Sequence, residues 1–97
     1  MIKNLRVGFR DGMVMQYYDS SPLQLNIQTT NFIIKINFLE EFSREWLIKL
    51  FAVDLQKITE HDFILYVDFL LEHVALVKNF EVIRKFDNKV VREHGLN

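Results

Sequence analysis

Leu5, Val7 and Phe9 alternate with Arg6, Gly8 and Arg10, and the Asp11-Gly12 dipeptide follows. Alternation of period two marks a half-buried strand, and Asp-Gly is a favoured two-residue hairpin turn because both central residues take positive φ. Such a turn pairs Arg10 with Met13, Phe9 with Val14, Val7 with Gln16 and Leu5 with Tyr18. One face is then Leu5, Val7, Phe9, Val14, Gln16 and Tyr18; the other carries Arg6, Arg10, Met13, Met15 and Tyr17. Asp19-Ser20-Ser21-Pro22 reads as a loop. Leu23, Leu25 and Ile27 then alternate with Gln24, Asn26 and Gln28, and Phe32, Ile34, Ile36 and Phe38 resume after Thr29-Thr30-Asn31. Pairing Thr29 with Phe32 sets Ile27 opposite Ile34, Leu25 opposite Ile36 and Leu23 opposite Phe38. A slip of one residue would expose the whole apolar set, so this register is well specified.

From Phe38 the period changes. Asn37 and Glu40 have capping-box spacing, and Leu39, Phe42, Trp46, Leu50 and Val53 form a helical stripe, with Glu41, Glu45 and Lys49 on the wet side. A second helix starts at Thr59, with Asp62 in the box position and Ile58 and Phe63 as a hydrophobic staple, and it is expected to run at least through Val77. Phe80, Ile83, Phe86 and Val90 extend a helical stripe, favouring helix to about Phe86, a break at Asp87-Asn88 and a short final helix. The same residues also read as a hairpin turning at Asp87-Asn88. The pattern therefore predicts an α+β chain: a four-stranded antiparallel sheet of two hairpins over residues 1–38, followed by two to three helices packed on one face over residues 39–97. The strand order is left open.

The chain has 97 residues, which is one domain, and 49% of them are hydrophobic, including nine Phe, three Tyr and one Trp. Aromatic burial on that scale supports a folded core despite the small size. The absence of cysteine excludes disulfides and thiol chemistry. A small disulfide-free domain with no apolar leader suits the cytoplasm, and no stretch predicts a membrane span.

Catalysis finds little to stand on. His61, His73 and His94 lack ligand spacing, no glycine-rich phosphate loop exists, and Ser20, Ser21 and Ser43 have no nucleophile context. No cofactor or metal is implied, and a metal-assisted hydrolase ranks third among the functional readings. Asp68 and Glu72 stand one helical turn apart with no basic residue at i±4, an exposed acidic stripe that would suit an Arg/Lys-rich partner.

The formal net charge is −1, but residues 1–38 carry +2 and the remainder −3. The expected outer sheet face collects that positive charge: Arg6, Arg10, Met13, Met15, Tyr17, Gln24, Asn26, Gln28, Ile33, Lys35 and Asn37, with no acidic residue. Arg, Met and Tyr suit a binding hot spot. The leading reading is a non-enzymatic protein that binds a protein partner with an acidic surface through Arg6, Arg10, Met13, Met15, Tyr17 and Lys35. The alternative is a nucleic-acid-binding regulator using the same face, for which Tyr17 is the single stacking aromatic. Apolar surplus in Trp46–Val53 and Phe63–Val67 predicts a homodimer or a tight complex through helical apolar surface. In size and plainness the chain resembles the small accessory proteins of phages and mobile elements. That resemblance covers no motif and implies a stoichiometric inhibitor of a host or defence protein.

Overall fold

A computed structural model describes residues 5–41 and 54–95, with the backbone alone for residues 5–7 and 18–20. Within it the chain is α+β. The strands are β1 (Leu5–Gly8), β2 (Val14–Ser21), β3 (Gln24–Thr29), β4 (Phe32–Phe38), β5 (Val77–Arg84) and β6 (Lys89–Gly95). All neighbours pair antiparallel, in chain order, as one sheet. Five strands are six to eight residues long and β1 has four. Among the described residues one helix, α1 (Glu60–Glu72), enters after the third of the long strands, preceded by a 3-10 turn at Leu55–Lys57. The expected plan of four strands followed by two to three helices is thus corrected: the helix interrupts the sheet rather than following it.

The second hairpin holds the expected register, with Ile27 opposite Ile34 and Leu25 opposite Ile36. All four are fully buried. Leu23 still lies opposite Phe38, whose N–H donates to Leu23 O at 2.9 Å, but it sits in the turn after Ser21 and is exposed rather than inside. The expected cap at Asn37 is also displaced. Asn37 remains in β4, and its side-chain amide donates to Asn79 Oδ1 at 2.7 Å. The helical stripe Phe42, Trp46, Leu50 and Val53 lies outside the described residues.

The first hairpin is shifted by one residue. Gly12 N–H donates to Phe9 O at 3.1 Å and Phe9 N–H to Met13 O at 2.7 Å, so Arg10-Asp11-Gly12 forms a three-residue loop. Gly12, at φ 84°, takes its left-handed position. Leu5 therefore opposes Tyr17, Val7 opposes Met15 and Arg6 opposes Gln16. Parity then turns Met15 inward, where it is 1% exposed, while Met13 and Tyr17 pack half-buried against the core.

Helix α1 begins as expected. Thr59 Oγ1 accepts from Asp62 N–H at 3.2 Å and the Asp62 carboxylate accepts from Thr59 N–H at 3.5 Å. It ends at Glu72 rather than running at least through Val77. The helix lays Phe63, Ile64, Val67 and Leu71 on the inner sheet face, with the Phe63 ring 5.2 Å from that of Phe9. Val77, Val82 and Ile83 are β-branched and suit a strand, and their segment pairs with β4 from Val77 on and with β6 from Asn79 on. The tail is accordingly the hairpin, not the favoured helix continuation.

Leu25→Ala and Phe63→Ala should each cost about 2–5 kcal/mol in urea unfolding, as large-to-small changes in a packed core do. Gly12→Ala should cost about 1 kcal/mol through its positive φ, although open space surrounds the position. Gly8→Ala, with equal space and no positive φ, should stay within about 0.5 kcal/mol.

Candidate functional site

The residues expected to form one binding face are divided by the fold. Met15 is core, and Met13 and Tyr17 lean on it. Arg10 is exposed in the first turn, its backbone N–H donating to Ile58 O at 2.8 Å. The register places Arg6 beside Gln16 on the outer face and continues that row through Gln28, Ile33, Ile83 and Val90. Lys35 is exposed on the same face, in the row Asn26, Lys35, Glu81 and Glu93. β5 and β6, expected to be helical, thus bring two carboxylates onto a face that otherwise read as purely basic. A neighbouring row is an amide ladder: Gln24 Nε2 donates to Asn37 Oδ1 at 3.2 Å, and Asn37 Nδ2 to Asn79. This face is mixed in charge, and one of its rows carries Ile33, Ile83 and Val90 among the polar residues.

The alternative pair is divided as well. Asp68 Oδ2 accepts from Arg92 Nη1 of β6 at 3.1 Å, so a strand supplies the relief that the helix lacks. Glu72 is exposed. Of the Phe63–Val67 surface expected to seek a second copy, Phe63, Ile64 and Val67 are already buried by the chain's own sheet. Trp46–Val53 lies outside the described residues. Among the described residues, no three His, Asp or Glu side chains gather as a metal would require, and no helix is long and apolar enough to cross a membrane.

A different constellation stands out at the tip of the β5–β6 hairpin. Phe86 is 82% exposed, more than any other large apolar side chain described. It is nonetheless held. The Arg84 guanidinium lies over its ring, 4.7 Å from the centroid, and Arg84 is fixed by two bonds to Asp87: Nε to Oδ1 at 3.1 Å and Nη2 to Oδ2 at 2.7 Å. A planar guanidinium can do both at once, its edge serving the carboxylate and its face the ring. Asp87 Oδ1 also accepts from Lys89 N–H at 3.3 Å, closing the turn, while Asn88 takes the left-handed conformation at φ 56°. Lys85, next to Phe86 in the chain, and Lys89, at the start of β6, are both exposed, and so are Val90 and Val91. With Arg84, the tip carries three cations against one carboxylate.

The hairpin alternative turning at Asp87-Asn88 already places Phe86 at a turn, but the favoured helical stripe sets Phe86 inside, so its exposure is not expected from the pattern.

Hydrogen bonding from Arg84 holds the Asp87 carboxyl below its ordinary pKa, and Asp87 raises that of Arg84. A depressed carboxylate contributes its stabilisation above its unfolded pKa and loses it as pH falls through the lower folded value. The brace should therefore be unchanged between pH 5 and pH 8. NMR titration of the Asp87 carboxyl should give a midpoint below that of an isolated aspartate, with the Phe86 ring shifts following the same curve. No protein-family model matches the chain, and neither a curated protein nor a solved structure matches it.

Proposed function

We propose that this protein acts stoichiometrically, without catalysis, by binding a protein partner that presents an acidic surface, and that the β5–β6 hairpin tip makes the contact. The observation that carries this reading is Phe86, an aromatic ring 82% exposed yet braced by Arg84. An aromatic side chain immobilised before binding loses little further entropy when a pocket closes on it, which is what an interface anchor requires. Lys85 and Lys89 supply the charge that orients an acidic partner and raises the association rate. The chain's likeness in size and plainness to phage accessory proteins fits an inhibitor that works by occupying a surface. A nucleic-acid reading has less support, since Glu81 and Glu93 share the outer-face row with Lys35.

The test is affinity capture of the tagged protein in its native host, with nuclease treatment and quantitative mass spectrometry. One protein should be recovered in near-stoichiometric amount by the unaltered chain. Phe86→Ser should reduce that recovery more than about tenfold, as loss of a hot-spot residue does. Lys35→Ala should leave it unchanged, and both variants should keep the thermal unfolding midpoint of the parent. Recovery unaffected by Phe86→Ser overturns the assignment. Recovery that disappears with nuclease and falls steeply with salt would point to phosphate contacts instead.

A further inference from the structure

Helix α1 buries Phe63, Ile64, Val67 and Leu71 on one side, yet it is not polar on the other. At 100° per residue, Leu65 and Phe69 project directly away from the sheet, one turn apart, 40% and 64% exposed. Asp62 and Glu72 flank them, both exposed, and α1 contains no Lys or Arg. The His73 ring lies 4.6 Å from that of Phe69. An exposed apolar ridge with a carboxylate rim is therefore the counterpart of the hairpin tip, which is an exposed apolar ring with a lysine rim. One molecule cannot join the two itself, because both rings are largely exposed in the folded chain.

We infer that the β5–β6 hairpin of one copy docks on the outward ridge of α1 of a second copy, Phe86 packing on Leu65 and Phe69 while Lys85 and Lys89 face Asp62 and Glu72. Complementarity of charge selects a second copy as occupant, since the same chain carries both halves and each like-to-like pairing, hairpin on hairpin or ridge on ridge, opposes equal charges. Two different patches on one chain make a head-to-tail contact, which extends into rings or short filaments rather than stopping at a symmetric dimer. The contact area is small, so the association is weak and depends on concentration. It rests on the hairpin tip being a contact surface, and it implies that a second copy and the acidic partner compete for that tip.

The test uses purified protein alone, so it stands apart from capture in the host. In sedimentation velocity at low salt, the weight-average mass of the unaltered chain should rise across about 10–500 µM and fall back as salt is added. Phe86→Ser and Leu65→Ser/Phe69→Ser should each remain monomeric over that range with parental circular dichroism. Mixed together, they should form a heterodimer of twice the monomer mass and nothing larger, since each variant retains the surface the other lacks. A monomeric parent overturns the inference, as does self-association by either variant alone or a mixture that stays monomeric. Where either serine variant fails to fold, Lys85→Glu/Lys89→Glu and Glu72→Lys take their places: each should self-associate less than the parent, and their mixture should recover association. A mixture no tighter than its components overturns the inference by the same logic. If self-association follows this pattern while host capture ignores Phe86→Ser, the partner assignment fails and the self-contact stands.

Discussion

The arrangement of sheet and helix depends on one buried carboxylate. Glu60, the first residue of α1, is 5% exposed, and among the described residues it forms no salt bridge. A carboxylate removed from water must find donors, and Asn31 in the β3–β4 turn supplies two: its backbone N–H at 2.8 Å and its side-chain amide at 2.7 Å. The Glu60 N–H, which a helix start leaves without an intrahelical partner, donates to the Asp11 carboxylate of the β1–β2 turn at 3.2 Å. Asn31 O in turn accepts from Lys85 N–H at the end of β5. Three turns and one helix terminus are thereby tied at one end of the sheet. Two carboxylates beside a helix N-terminus also suit its dipole. Once this end is fixed, the direction of α1 over the inner face is fixed with it, and Phe63 has no choice but to meet Phe9.

Legibility in the sequence followed the number of patterns that agreed. In β3 and β4 strict alternation and turn chemistry point to one register, and that register forms. In β1 and β2 the turn signal admitted two answers, because Asp-Gly suits a two-residue loop and equally the last two places of a three-residue loop. The hydrophobic pattern could have decided. The two-residue loop turns Gln16 toward the core and sends Met13, Met15 and Tyr17 out, whereas the three-residue loop reverses all four. A single residue of loop length thus moves Met15 into the core and sets Met13 and Tyr17 against it, with β1 and β2 still strands.

The second half was harder for a different reason. Thr59 and Asp62 mark where α1 begins, and local chemistry is enough for that. Nothing local marks where it ends: neither glycine nor proline follows Glu72, and His73 closes the helix through backbone bonds to Leu70 and Leu71. The stop is set by tertiary pairing, with Val77–Arg84 taken up between β4 and β6. Asp68 shows the same dependence. Judged along the helix it lacks a cation, and its partner Arg92 lies 24 residues away on a strand.

The last strand separates what folding requires from what it does not. β6 is a sheet edge exposed along its whole length, a position that invites indiscriminate pairing. It is defended by Lys89, Arg92, Glu93 and His94, and by a register irregularity opposite Val82 and Ile83 that spoils a flat edge. Arg92 also draws the strand back to α1 through Asp68. Against that background the hairpin tip is an exception. Phe86 adds nothing to the core, and a lysine in its place would make the edge more soluble. Yet Arg84, which could extend into solvent, is spent on holding the ring and the Asp87 turn in one geometry. Ordering two side chains around an exposed aromatic group gains little for the folded chain alone, because a partly exposed surface ion pair contributes weakly to stability. The fold therefore accounts for Arg84 and Asp87 as the closure of the β5–β6 turn, whereas the exposed ring of Phe86 answers to no requirement of the core.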